Sequence, residues 1–199
     1  MNISGIKQFL ARRGTRARRA ALASLLLAAF VVAVLAGSAL AAGGNLAKNS
    51  SFEKDSNGDG VPNNWTPADL TPSDKRVCNK AYAGACSFKM IGDGGTKYMF
   101  QYPAISGGIG DEFTLKIWVL TKGLVLGGGN VTLYLEIGQT DGGFEYDSQN
   151  LAPGSSGGWV LYTLNHTTIE AYDSSRIWIK FNPTSGKAWF DKVKFVEVP

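Results

Sequence analysis

An all-β fold, an antiparallel sandwich of two sheets, follows from three features of the chain: alternating apolar and polar runs, Gly/Pro/Ser turn signals between them, and no ten-residue amphipathic helical pattern after residue 41. The clearest runs are Glu112 to Thr121 and Asn130 to Gly138. In the first, Phe113, Leu115, Ile117 and Val119 oppose Thr114, Lys116, Trp118 and Leu120; in the second, Val131, Leu133, Leu135 and Ile137 oppose Thr132, Tyr134 and Glu136. A period of two with one apolar side is what a strand with one face in a core requires.

The chain opens differently. Lys7, Arg12, Arg13, Arg16, Arg18 and Arg19 precede an apolar run from Ala20 to Ala36 and the small-residue stretch Gly37-Ser38-Ala39-Leu40-Ala41. This is the layout of a secretory signal peptide over residues 1–41, with the mature domain expected over 42–199. The alternative is an uncleaved signal anchor, which would tie the domain to a membrane. Either way the domain is expected to be secreted or at the cell surface. The leader contains no Asp or Glu and accounts for the formal charge of +4, so the remainder is slightly acidic overall. That balance argues against nucleic acid as a partner.

Within the domain, Leu46 to Phe52 is read as a short strand, followed by an Asp/Asn/Gly loop that ends at Val61-Pro62 and Trp65. Pro67, Pro72 and Ser73 then carry a loop to strands around Lys75 to Asn79 and Ala85 to Ile91. Cys78 and Cys86 sit on that pair, and in an exported protein they are expected to form a disulfide. A loop this short stabilises by about 2–3 kcal/mol in the entropic account, a staple and not the source of the fold. Gly92-Asp93-Gly94-Gly95 marks a turn before Lys97 to Tyr102. Gly127 to Gly129, Gly142-Gly143 and Gly154 to Gly158 mark further loops, and Trp159 to Leu164, Arg176 to Phe181 and Lys187 to Val198 complete the strands.

Two features bear on chemistry. Asp55-Ser56-Asn57-Gly58-Asp59-Gly60 matches the first half of a calcium loop, D-x-N-x-D-G, with Asp55, Asn57 and Asp59 as candidate oxygen ligands. The twelfth position is Thr66 instead of a bidentate Glu, and the same residue types also make plain turns. The second feature is aromatic rings with charged neighbours two residues away: Trp118 with Lys116, Tyr134 with Glu136, and Trp178 with Lys180. Such rings are expected on an outer sheet face, where they stack on sugar rings while charged groups bond hydroxyls; the competing reading buries them under loops. Nothing resembles a catalytic constellation: there is no G-x-S-x-G, no tight acidic pair on one strand face, and His166 at a strand end reads as a surface histidine.

NLAKNSSFEKDSNGDGVPNNW at the start of the domain and AWFDKVKFVEV at its end resemble the opening and closing strands of carbohydrate-binding modules of the family 4, 9 and 22 group. Phe100-Gln101, EFTLKIWVLTKG and GGWVLYTL fall between them in the family's order. The resemblance spans roughly 150 residues, a normal domain size, and implies a jelly roll similar to galactose-binding domains. It also implies a structural calcium held by Glu53 and Asp191, although Lys192 stands where a second Asp is frequent. The expected function is an exported, non-catalytic module binding polysaccharide or glycan. A structural or adhesive surface protein capable of self-association is the alternative, and a small glycan hydrolase or lyase comes last.

Overall fold

The computed structural model describes residues 43–199, and the expected leader lies outside the described residues. Ten strands follow in order: β1 (Thr66–Ala68), β2 (Lys75–Val77), β3 (Ser87–Ile91), β4 (Lys97–Gln101), β5 (Glu112–Val125), β6 (Val131–Gln139), β7 (Phe144–Asn150), β8 (Val160–Thr167), β9 (Tyr172–Phe181) and β10 (Ser185–Val198). They form two five-stranded sheets, ordered β1-β4-β9-β6-β7 and β2-β3-β10-β5-β8, here called the first and second sheet. Every pairing is antiparallel. Among the described residues there is no helix.

The two long alternating runs become β5 and β6, one in each sheet, with Phe113, Leu115, Ile117 and Val119 meeting Val131, Leu133, Leu135 and Ile137 in the buried layer. Ile177, Ile179 and Phe181 of β9 and Phe88, Met90, Phe190 and Phe195 complete it. A buried aliphatic or Phe side chain contributes about 1.5–3 kcal/mol relative to exposure, so this layer is the main drive to fold.

Alternation breaks once in the closing strand. In Phe190-Asp191-Lys192-Val193-Lys194-Phe195 the inward residues are 190, 193 and 195, one residue out of step. The β10–β5 register shifts between Asp191 and Lys194, and Lys192 adopts a φ of 47°. This bulge keeps Lys192 out of the core and returns Val193 and Phe195 to it.

Leu46 to Phe52 is not a strand. Asn49 and Phe52 take left-handed φ values of 44° and 55°, and the Asn49 amide ties this segment to Lys54 and Asn63, so the backbone turns repeatedly. Leu46 N–H still donates to Phe195 O and Val193 N–H to Ser50 O, docking it along β10. Trp65, expected at a loop, is buried against Phe52 with ring centroids 5.0 Å apart. Cys78 and Cys86 are bonded to each other, just beyond β2 and just before β3.

A buried lysine is built into the interior together with a buried aspartate partner. Lys97 of β4, 2% exposed, reaches Asp74 at 2.9 Å and Asp93 at 2.7 Å and donates to Ile91 O. Asp74 also accepts from Thr71 and from Ile91 N–H, whereas Asp93 is largely exposed. Although burial works against the ammonium, its two carboxylate partners hold the Lys97 pKa above the usual lysine value. Asp74→Ala is therefore expected to cost about 3 kcal/mol or more, as for a buried pair that loses a partner. Asp93→Ala should cost below about 1 kcal/mol. Urea unfolding of the two variants checks this ordering.

Candidate functional site

The outer face of the first sheet is set by the residues that alternate with its core positions. In register across it lie Phe100, Trp178, Tyr134 and Ser148. On one side of that row runs Tyr98, Lys180, Thr132 and Asn150, and on the other Arg176, Glu136 and Tyr146. Trp178 and Tyr134 stack on each other with centroids 3.9 Å apart and planes 11° from parallel. Tyr98 leans toward Trp178 at 5.8 Å, and the Arg176 guanidinium sits 4.8 Å from the Trp178 ring centre. Arg176 Nη2 donates to Glu136 Oε2 at 2.7 Å. Burial disfavours the Arg176 charge, but Glu136 and Tyr102 more than compensate and raise its pKa.

This cluster is locked but not saturated. Trp178 Nε1 and Arg176 Nε are both buried without an acceptor. An unsatisfied buried donor costs about 1–3 kcal/mol, so a shift of the covering side chains that let a ligand oxygen reach either nitrogen would be favoured. Around them Tyr102 and Tyr146 are exposed by 62% and 65%. The face thus has covered, unpartnered donors at its centre and open ring surfaces at its flanks, a chemistry suited to polyhydroxylated ligands.

Tyr134, Trp178, Glu136 and Lys180 are brought together here. Trp118 and Lys116 are not: both lie on the outer face of the second sheet, where Tyr82 stacks on Trp118 at 3.8 Å. Sequence reasoning missed Tyr98, Phe100, Tyr102, Arg176 and Tyr146. The spacing of Tyr98, Phe100 and Tyr102 carried the signal for three of them, since they alternate with the buried Met99 and Gln101. Tyr146 was hidden because β7, whose residues are exposed or half-buried, shows no apolar alternation.

Glu53 and Asp191 meet around the loop closed by the disulfide. Asp191 is fully buried; its Oδ2 accepts from Tyr82 N–H at 2.6 Å and Ala83 N–H at 2.9 Å, and its Oδ1 from Lys192 N–H. Glu53 Oε1 accepts from Ala85 N–H at 2.8 Å and Cys86 N–H at 3.1 Å. Burial raises the Asp191 pKa, and nearby Glu53 adds to that effect against the three backbone donors. Neither carboxylate forms an ion pair among the described residues. Three of the pair's four oxygens accept backbone N–H groups, and Glu53 Oε2 is the one without a hydrogen bond among the described residues.

The Asp/Asn/Gly loop behaves otherwise. Asp55 accepts from Gly58 and Gly60 N–H, and Asp59 from Val61 N–H and the Asn57 amide, so these oxygens close turns within the loop. Among the described residues no three His, Cys, Asp or Glu side chains gather into a metal-holding group. A cleft of about 580 Å³ beside this loop is lined by Asp59, Asp69, Leu70 and Lys75, with Asp74 at it already engaged by Lys97.

His166 is not a surface histidine. It is 8% exposed, with Nδ1 2.7 Å from Asp147 and Nε2 3.1 Å from Glu145. Because β8 belongs to the second sheet and β7 to the first, this contact latches the sheets along one side. The Glu145 carboxyl is disfavoured by burial but is held below its ordinary pKa by Gln139, Ile169 N–H and His166.

Solved structures share the fold. A bacteriophage CBA120 tailspike protein 4, enzymatically active domain, matches with a TM-score of 0.60 at 15% identity, over 77% of this chain and 21% of that one. The chain therefore spans about a fifth of that protein. A CBM61 module solved with β-1,4-galactotriose matches with a TM-score of 0.52 at 13% identity, over 78% of this chain and 99% of that one. The CBM22-1 xylan-binding domain of Paenibacillus barcinonensis Xyn10C matches with a TM-score of 0.52 at 17% identity, over 79% and 96%. No protein-family model and no curated protein matches the chain. The chain has the two-sheet sandwich fold of carbohydrate-binding modules, as the resemblance of its end strands implied.

Gly84 is fixed by the carboxylate it faces: its φ is 73°, and a Cβ there would collide with Glu53 Oε1. Gly94 has a similar φ of 83° but open space around it. Gly84→Ala should cost about 2–3 kcal/mol, since a clash adds to the roughly 1 kcal/mol of left-handed strain that Gly94→Ala alone incurs. Thermal unfolding of both variants tests the difference.

Proposed function

We propose that the domain is an exported, non-catalytic glycan-binding module whose ligand lies on the outer face of the first sheet. The carrying observation is the Tyr134–Trp178 stack with its two unpaired buried donors, Trp178 Nε1 and Arg176 Nε, between exposed tyrosines. Donors without acceptors favour a ligand dense in oxygen, and a ring on either flank favours one with apolar C–H faces. Glu136 is tied to Arg176, and Glu145 and Asp147 to His166, so each of these carboxylates has a partner within the fold. Solved neighbours of the same fold include modules described with a galactotriose and as xylan-binding, which supports a β-linked polysaccharide as the ligand. The disulfide agrees with an oxidising, extracytoplasmic setting, as does the leader-like start of the chain.

Depletion of the full chain by insoluble xylan, β-1,4-galactan, cellulose and chitin tests the reading. One of these polymers should remove the protein from solution. Trp178→Ala and Tyr134→Ala should each weaken that binding about tenfold or more, on the order of 1.4 kcal/mol, while Trp118→Ala leaves it unchanged. An adhesive reading is favoured instead by the exposed Phe144 and Ile169, 67% each, near the free edge of the first sheet. No depletion by any polymer, together with concentration-dependent self-association in sedimentation, would select it.

Glu53 and Asp191 are proposed as the carboxylates of a structural calcium site. The ion would supply the positive charge that the pair lacks and would fasten the opening segment to the closing strand. Without a cation, Asp191 binds its proton more tightly folded than unfolded, so its contribution makes stability fall as pH rises from about 3.8 through its raised value. Calcium at neutral pH should therefore raise Tm in the wild type. Asp191→Asn should lack both the calcium response and this part of the pH dependence.

A further inference from the structure

The second sheet carries an unusual feature on its outer face. Lys75 of β2 is the direct cross-strand partner of Lys89 on β3, and Lys187 of β10 is the direct partner of Lys122 on β5. Lys194 of β10 and Lys116 of β5 form a third such pair. Like charges placed directly opposite on one face of a sheet are destabilising, and here the arrangement occurs three times. None of these lysines forms an ion pair among the described residues. Of the outward carboxylates on the same face, Asp191 is covered by the Tyr82–Ala83 backbone and neutralises nothing at the surface, and Glu112 lies at the far end of β5 beside Val198 and Thr167.

The lysines are ordered, not scattered. Lys75, Lys89, Lys187 and Lys122 come from four successive strands, β2, β3, β10 and β5. Lys75 and Lys89 share a cross-strand row with Trp189, and Lys187 and Lys122 lie one row over, two residues along the strands, so the four form a staggered band across the sheet. Trp189, 6% exposed, lies within it, with the Lys187 and Lys80 ammonium groups 5.5 and 5.0 Å from its ring centre. The charges crowd one another: burial lowers the Lys89 pKa, and Lys75 and Lys187 add to that effect against the pull of Asp74.

We propose that this lysine band binds a linear acidic polysaccharide, one bearing carboxylate or sulfate groups along its length. The repulsion among the lysines is relieved when a polyanion supplies a negative charge at each step. The band's staggered course across four strands fits an extended chain better than a planar lipid surface, which needs no track. Single-stranded nucleic acid fits less well, because base stacking needs open rings; Trp189 is buried under ammonium groups and Trp118 is covered by Tyr82. The band lies on the opposite sheet from the Tyr134–Trp178 row, and the proposal does not depend on the reading given to that row.

The full chain and a Lys89→Gln/Lys187→Gln/Lys122→Gln variant are titrated with polygalacturonate and chondroitin sulfate by calorimetry at low and moderate salt. Phosphatidylserine vesicles and oligo-dT serve as the competing polyanions. The expected result is binding to at least one acidic polysaccharide, weakening as salt rises and at least tenfold weaker in the triple variant. The Tm of the triple variant should be unchanged or higher, because like-charge pairs have been removed, and Trp178→Ala should bind the polyanion as the wild type does. No binding to either polysaccharide, equal binding by the triple variant, or tighter binding to vesicles or oligo-dT overturns the proposal.

Discussion

A carboxylate with no exposure to solvent, Asp191, sits on the outer side of a sheet, and the surrounding structure is arranged to tolerate it. Burying a charge is costly unless it is hydrogen-bonded or paired. Three backbone N–H groups answer this one, two of them from the loop at residues 82–83, which the Cys78–Cys86 bond closes at its base. The same loop supplies Ala85 and Cys86 N–H to Glu53, which belongs to the opening segment. One constraint thus links the start of the domain, a disulfide loop and the bulge in the closing strand. It also explains why Tyr82 lies flat on Trp118: the loop is pulled onto the sheet by the carboxylate beneath it.

Much of the fold was legible because its strands have one apolar face. β6 and β10 were read to within two residues of their ends, β5 was stopped four residues short and β9 begun four residues late, and even the bulge is visible as a broken alternation in Phe190-Asp191-Lys192-Val193. What escaped were elements whose reason for existing lies elsewhere in the chain. β1 is a three-residue edge strand containing Pro67, and β7 is an edge strand of largely exposed side chains held by β6. In the opposite sense, Leu46 to Phe52 has strand-like composition but is bent by Asn49 and Phe52 into turns that dock on β10.

The aromatic face was half legible for a related reason. Alternation says that Trp118, Tyr134 and Trp178 point away from the core, and they do. It does not say which sheet each strand joins, so it grouped rings that the topology sends to opposite sides. Nor does it show that Tyr134 and Trp178 cover each other, which shifts the accessible chemistry from their faces toward the flanking tyrosines. His166 was misread because its partners, Asp147 and Glu145, come from the strand that sequence could not find.

The two outer faces look away from each other across a core whose sheets are packed about 10 Å apart. A cleft gathers everything it binds on one side, but a slab with an oxygen-seeking aromatic row on one surface and a lysine band on the other cannot. Whatever occupies one surface is held apart from whatever occupies the other by a rigid, solvent-free layer of Phe, Leu, Ile and Val. Opposite pulls applied at the two surfaces would load the layer between the sheets in tension or shear, so the hydrophobic core itself would carry the force from one face to the other.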